Sequence, residues 1–216
     1  KTQGLVDLQV NGFAGVDFNS LGLSSDSLQL ALEAMLATGV TTCLPTVITD
    51  SEIHMRKCLS ALEKTRNSSP MAKTKLTGYH LEGPFLSKFP RYCGCHPVEK
   101  MGAVDLELFL RLQEAAGGNI KLVTLAPEVE GAITFIEKLV EDGIIVALGH
   151  TAADNEIIQQ AIDAGAKLST HLGNGTSGEL NKNCNPIMTQ LSEDRLSASF
   201  IADGYHLSPE VLKVYL

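Results

Sequence analysis

Residues Val129 to Leu172 read VEGAITFIEKLVEDGIIVALGHTAADNEIIQQAIDAGAKLSTHL. Apolar side chains recur at helical spacing from Val129 to Glu141, Gly143 stops that helix, and a β-branched run from Ile144 to Leu148 follows at once. The pattern then repeats, with a helical period over Asn155 to Ala164, a stop at Gly165 and an apolar run from Leu168 to Leu172. A glycine placed between a helix and the next strand supplies the left-handed residue of a helix C-cap, and Gly39 holds the same place earlier in the chain. Apolar strands joined by helices mean a parallel sheet covered on both faces.

Outward from this segment the alternation holds. Strands are expected at Leu5 to Val10, Val40 to Val47, Leu76 to Leu81, Ile120 to Leu125 and Leu196 to Ala202, and helices at Ser24 to Ala37, Ser51 to Lys64 and Val104 to Ala115. The polar residues equipped for chemistry, namely Asp7, Gln9, Asn11, Glu82, Glu128, His150, His171, Asp203 and His206, fall at or just past the C-terminal ends of these strands. That is where barrel active sites lie. A dinucleotide-binding sheet would need a G-x-G-x-x-G turn after its first strand, whereas Asn11-Gly12-Phe13-Ala14-Gly15 lacks that spacing, and no Walker A pattern occurs. The expected fold is α/β, a (β/α)8 TIM-type barrel with seven βα units present, the eighth missing and the last helix cut near Leu216.

Composition narrows the function classes. With 44% apolar residues the 216-residue chain has material for a sizeable core. A net charge of -8 without any Lys/Arg run offers nothing to a polyphosphate backbone, so nucleic acid is not an expected partner. No apolar run approaches a membrane span and no signal pattern opens the chain, which leads to the expectation of a cytoplasmic protein. The five cysteines, Cys43, Cys58, Cys93, Cys95 and Cys184, are odd in number and scattered, and read as thiols of a reducing compartment.

One constellation carries chemistry. Tyr79-His80-Leu81-Glu82-Gly83-Pro84 puts a carboxylate at the end of the third strand, His150 follows the fifth strand and His171 lies in the sixth strand segment. Two imidazoles and a carboxylate from neighbouring strand ends form the open three-ligand set of a catalytic metal site, with a fourth position left for water. The competing reading makes each histidine a hydrogen-bonded rim residue and Glu82 an ion-pair partner. Cys93, Cys95 and His96 form a second, cramped candidate for a soft metal.

Six segments then carry a resemblance. Gly4-Leu-Val-Asp-Leu-Gln-Val-Asn-Gly12, His80-Leu-Glu-Gly-Pro-Phe85, Val123-Thr-Leu-Ala-Pro-Glu128, Gly149-His-Thr151, Thr170-His-Leu-Gly-Asn174 and Ile201-Ala-Asp-Gly-Tyr-His206 resemble, in order, the blocks of the N-acetylglucosamine-6-phosphate deacetylase family, a branch of the amidohydrolase superfamily. The resemblance implies that Glu82, His150 and His171 bind one divalent metal, with zinc expected and iron(II), cobalt or manganese accepting the same set. It also implies that Cys95, His96, Asn174, Gly175 and His206 contact an amino sugar phosphate. Gln9 and Asn11 stand where many superfamily members carry a His-x-His pair for a second metal, so a single ion is expected.

Two departures from the family follow. Lys182 lies near the place of the family's phosphate-binding arginine, without its bidentate fork. The family's general base, an Asp after the eighth strand, would fall beyond Leu216, leaving Asp203 as a turn cap. Residues 1–216 are accordingly expected to be an incomplete catalytic barrel, without the family's small β-sandwich, of a protein that forms homodimers. The implied reaction releases acetate from N-acetylglucosamine 6-phosphate. The alternatives are hydrolysis of another amide or cyclic imide, and an inactive metal-binding fragment.

Overall fold

The three glycines read as helix stops are left-handed in the structure, with φ of 94° at Gly39, 74° at Gly143 and 108° at Gly165. This computed structural model describes residues 3–216. The chain divides into two compact units, one running to Glu82 and taking in Asp105–Leu122, the other comprising Gly83–Val104 and Val123–Leu216.

In the first unit, β1 (Leu5–Val10) leads through the short hairpin of β2 (Gly12–Phe13) and β3 (Val16–Asp17) to α1 (Ser25–Ala37). Ser24 and Ser27 start that helix with a reciprocal capping box, satisfying two N–H groups that the first turn leaves without partners. Next come β4 (Val40–Ile48), α2 (Glu52–Ser68), α3 (Pro70–Lys75), β5 (Tyr79–Glu82), α4 (Leu106–Ala115) and β6 (Ile120–Leu125), whose first half belongs here. β1 runs parallel to β4, and β4 to β5 with Ile48 opposite Glu82. The core is apolar and tightly closed, with Leu28, Leu32, Met35, Leu59, Leu62, Leu76 and Tyr79 all buried.

The second unit takes over β6 and continues with α5 (Ala132–Glu141), β7 (Ile145–Leu148), α6 (Asn155–Asp163), β8 (Leu168–Ser169), α7 (Pro186–Leu191), β9 (Ser197–Ala198) and α8 (Pro209–Tyr215). β7 pairs parallel with β8 and β8 with β9. Ile136 and Leu139 of α5, Val146 and Ala147 of β7, and Ile158 and Ala161 of α6 are buried. Within each unit the paired strands follow chain order, as the alternation of strands and helices requires. No helix among the described residues is long and apolar enough to cross a membrane.

The differences from the sequence expectations have local causes. Two helices, α3 and α7, lie outside those expectations, and both open on a proline, Pro70 or Pro186. Each proline begins its helix behind a capping residue, Ser69 or Asn185, where its fixed φ and missing N–H cost nothing. Leu76, expected to open a strand, instead caps α3 by donating its N–H to Ala72 O, so β5 starts at Tyr79. β8 ends at Ser169 because His171 turns left-handed at φ 32°.

Candidate metal centre

Each prospective ligand sits where a strand gives way to a turn. Glu82 is the last residue of β5 and is followed by Gly83 at φ 82°. His150 comes two residues after β7 and His171 two after β8, and both have positive φ, 49° and 32°. An ordinary side chain seldom adopts this backbone, and sparsely populated conformations of this kind concentrate at functional sites. All three are buried, at 2%, 5% and 7% exposure.

His150 and His171 are neighbours in the second unit, and Glu82 closes β5 in the first. The imidazole rings of His150 and His171 meet edge to face, centroids 5.0 Å apart. Chemically the donors suit a borderline divalent cation: two neutral nitrogens, one carboxylate, and no thiolate in the set.

Supporting contacts orient these donors. The amide of Gln9 donates to Glu82 Oε1 at 2.9 Å. Thr49 donates its hydroxyl to the Glu82 carbonyl at 3.3 Å. Nδ1 of His150 lies 2.8 Å from the Tyr92 carbonyl oxygen. A carbonyl only accepts, so Nδ1 carries the proton and Nε2 keeps its lone pair for a metal. The His171 N–H donates to Ser199 Oγ at 2.9 Å, fixing the left-handed turn from which its ring projects. Immediately after His150, Thr151 Oγ1 donates to Glu128 at 2.6 Å and the Ala152 N–H donates to the same carboxylate at 2.7 Å. The sequence marks Glu128 only as a polar strand-end residue, and it carries no signal for the Tyr92 and Ser199 contacts.

The residues expected to touch substrate divide. His96 is buried at 3% exposure, and its ring centroid is 4.5 Å from that of His150. Gly175, at φ 59°, approaches the same imidazole so closely that a Cβ there would lie 2.6 Å from His150 Cε1 and Nδ1. Asn174 folds back on its own turn, donating both its backbone N–H and its side-chain amide to the His171 carbonyl. Cys95 is exposed. His206 is exposed and bonds through Nδ1 to Asp203 at 2.8 Å. Backbone N–H groups of His206 and Tyr205, and then the His206 ring, hold the Asp203 carboxyl down at about 2. Asp203 is therefore a charged turn acceptor, as a capping residue should be.

The amidohydrolase family profile matches residues 2–215. The N-acetylglucosamine-6-phosphate deacetylase of Bacillus subtilis (strain 168) is 36% identical over 213 residues, covering 98% of this chain and 53% of its own length. The N-acetylgalactosamine-6-phosphate deacetylase of Shewanella sp. (strain ANA-3) is 35% identical over 209 residues, with coverage of 95% and 50%. Among solved structures, a point variant of the N-acetyl-D-glucosamine-6-phosphate deacetylase of Mycobacterium smegmatis, in complex with N-acetyl-D-glucosamine-6-phosphate, superposes with a TM-score of 0.87 at 30% identity, over 99% of this chain and 54% of that one. The chain spans about half the length of the curated relatives it matches. The resemblance read from the six sequence segments is met by these relatives, and the barrel fold by the structural neighbour.

Proposed function

The chain belongs to the amidohydrolase family, and on that premise we propose that it is the metal-bearing part of a deacetylase that hydrolyses N-acetylglucosamine 6-phosphate to glucosamine 6-phosphate and acetate. The observation that carries this reading is that Glu82, His150 and His171 each stand where a strand gives way to a turn, the two histidines side by side and both at positive φ. A bound divalent ion, zinc in this reading, supplies Lewis-acid polarisation of the acetamido carbonyl and a water acidic enough to ionise near neutral pH. The chain's own residues hold and orient that ion. Glu82 contributes the charge, His150 and His171 contribute neutral nitrogens, and Gln9 and the Tyr92 carbonyl help to orient Glu82 and His150 respectively.

Substrate binding falls to groups near the two histidines. His96, buried beside His150, is assigned to donate to the substrate's carbonyl or phosphate oxygens, and Gly175 to lend its backbone at close approach. Cys95, Asn174 and His206 complete the set that the family resemblance implies, with the Asn174 amide giving up its bond to the His171 carbonyl in order to reach a sugar hydroxyl. Five free cysteines fit a cytoplasmic setting, and a homodimer is the assembly we assign from the resemblance.

A second reading keeps the chemistry and inverts one sugar centre. The galactosamine-type relative is as similar as the glucosamine-type one, 35% against 36% identical, so the C4 epimer is a competing substrate. Two measurements decide. Metal content of the full chain should be about one equivalent and should vanish in His150→Ala and in His171→Ala; stoichiometric metal surviving both changes would overturn the site. Acetate release compared between the two 6-phosphates and unphosphorylated N-acetylglucosamine then ranks the sugars and shows whether the phosphate matters.

A further inference from the structure

The segment between Phe89 and His96 packs against His150. Three of its groups close on one imidazole, that of His150. The Tyr92 carbonyl takes the Nδ1 proton at 2.8 Å, and the His96 ring stands edge-on at 4.5 Å. Gly94, at φ 56°, presents bare backbone to the ring: a Cβ built there would lie 2.8 Å from His150 Cε1 and 3.3 Å from Nδ1. From a different turn, Gly175 approaches the same Cε1–Nδ1 edge at 2.6 Å by the same measure. Such approaches are shorter than real Cβ contacts, so any side chain at either glycine must displace the ring or the loop. Cε1 is bonded directly to Nε2, the nitrogen that the Tyr92 contact leaves for a metal, so a push on that edge swings the donor itself.

We propose that Gly94 is a positioning residue for the metal ligand His150, its missing side chain allowing the Tyr92–His96 turn to clamp the imidazole with Nε2 directed at the ion. The left-handed backbone alone does not account for glycine here. Gly118 has a similar conformation, φ 77°, and a methyl group added to it would meet nothing within 4 Å, so it isolates the backbone cost from the contact. The clamp rests on the metal reading above, and its test keeps the two apart.

The test uses the full chain, Co2+ as probe, and four proteins: wild type, Gly94→Ala, Gly94→Asn and Gly118→Ala. Asn tolerates a left-handed backbone better than Ala does, so Gly94→Asn delivers the Cβ with less strain. Co2+ affinity, the visible ligand-field spectrum and metal-free melting are measured for each. The expected result is a Kd raised about 10- to 100-fold, the range seen when outer contacts of a metal ligand are lost, with a changed spectrum in both Gly94 variants and neither effect in Gly118→Ala. Wild-type affinity and spectrum in the Gly94 variants would overturn the clamp. So would Gly94 variants whose metal-free forms fail to fold or melt far below Gly118→Ala, since that marks Gly94 as merely structural. A wild type that binds no Co2+ would overturn the metal reading, and the clamp with it.

Discussion

The side-chain amide of Gln9 donates to Glu82 Oε1 at 2.9 Å, joining the end of β1 to the end of β5. Gln9 stands where many superfamily members carry the first histidine of a second metal site, and an amide is a poor ligand for a transition metal. In this structure the residue instead occupies one oxygen of the carboxylate proposed to bind the first metal. Its loss removes one of the contacts that orient that carboxylate. Gln9→Ala is expected to weaken metal binding about tenfold, as removal of outer-sphere contacts does, while leaving the stoichiometry at one. Competition against a chromogenic chelator measures this, and unchanged affinity would make the contact incidental.

A second anchor lies at Glu128. Its carboxylate accepts from the Thr151 hydroxyl at 2.6 Å and the Ala152 N–H at 2.7 Å, and so fastens the chain directly after His150, whose left-handed backbone needs holding. Glu128→Ala removes two bonds to an ionised acceptor and takes away the acceptor of the buried Thr151 hydroxyl, which keeps only the bond it accepts from the Ala153 N–H. The expected destabilisation is about 2–3 kcal/mol, read by urea denaturation. Glu128→Gln should recover part of it, because its amide oxygen still accepts from Thr151 while its NH2 cannot accept from Ala152.

Tyr79 tests the core of the first unit away from any metal. Its ring is fully buried, and its hydroxyl donates to Glu63 Oε2 at 2.7 Å. Burial first, and then Glu63, drive the phenol far above its ordinary range, so it remains a donor at any working pH. Glu63 also takes bonds from Arg66 and Asn67, which limits what one deletion exposes. Tyr79→Phe should therefore cost about 1–2 kcal/mol with metal content unchanged. A loss of metal would mean that the change reaches well beyond this hydrogen bond.

The legibility of this chain from sequence follows from where the information sits. Ile120–Leu125 is a strand in both readings because a short β-branched run between a helix and a proline leaves few other choices. Glu82, His150 and His171 are legible because side-chain chemistry coincides with strand ends, two features that a sequence displays. The Tyr92 contact is not, because its acceptor is a backbone carbonyl that every residue possesses. Nor is the role of Gly94, which depends on its facing His150, a residue far along the chain. Gln9 stands out in the sequence for the metal it cannot bind, whereas its bond to Glu82 requires the register of β1 and β5 against β4. α3 and α7 escape sequence reading because proline breaks a helix interior and begins a helix with equal ease, and only the capping serine or asparagine before it separates the two cases.

The five thiols should separate by burial. Desolvation, with Asp7 adding to it, pushes the Cys43 thiol up to about 12, and desolvation with Asp17 and Asp50 pushes Cys58 up to about 11. The attacking species is the thiolate, so both are inert while folded, whereas Cys95 and Cys184 are exposed and Cys93 is half-buried. At pH 8 iodoacetamide should modify Cys95 and Cys184 quickly, Cys93 more slowly, and Cys43 and Cys58 only after denaturation, as mass spectrometry of the digest would report. The same displacement sets a sign for alkaline stability. Because the thiols of the unfolded chain ionise near 9.0 and these two do not ionise until about 11 and 12 in the folded chain, unfolding releases protons above pH 9 and stability falls as pH rises through that window. Cys58→Ala and Cys43→Ala, compared with wild type between pH 8 and pH 10.5, should each flatten the decline, and a slope unaffected by both would assign it to other groups.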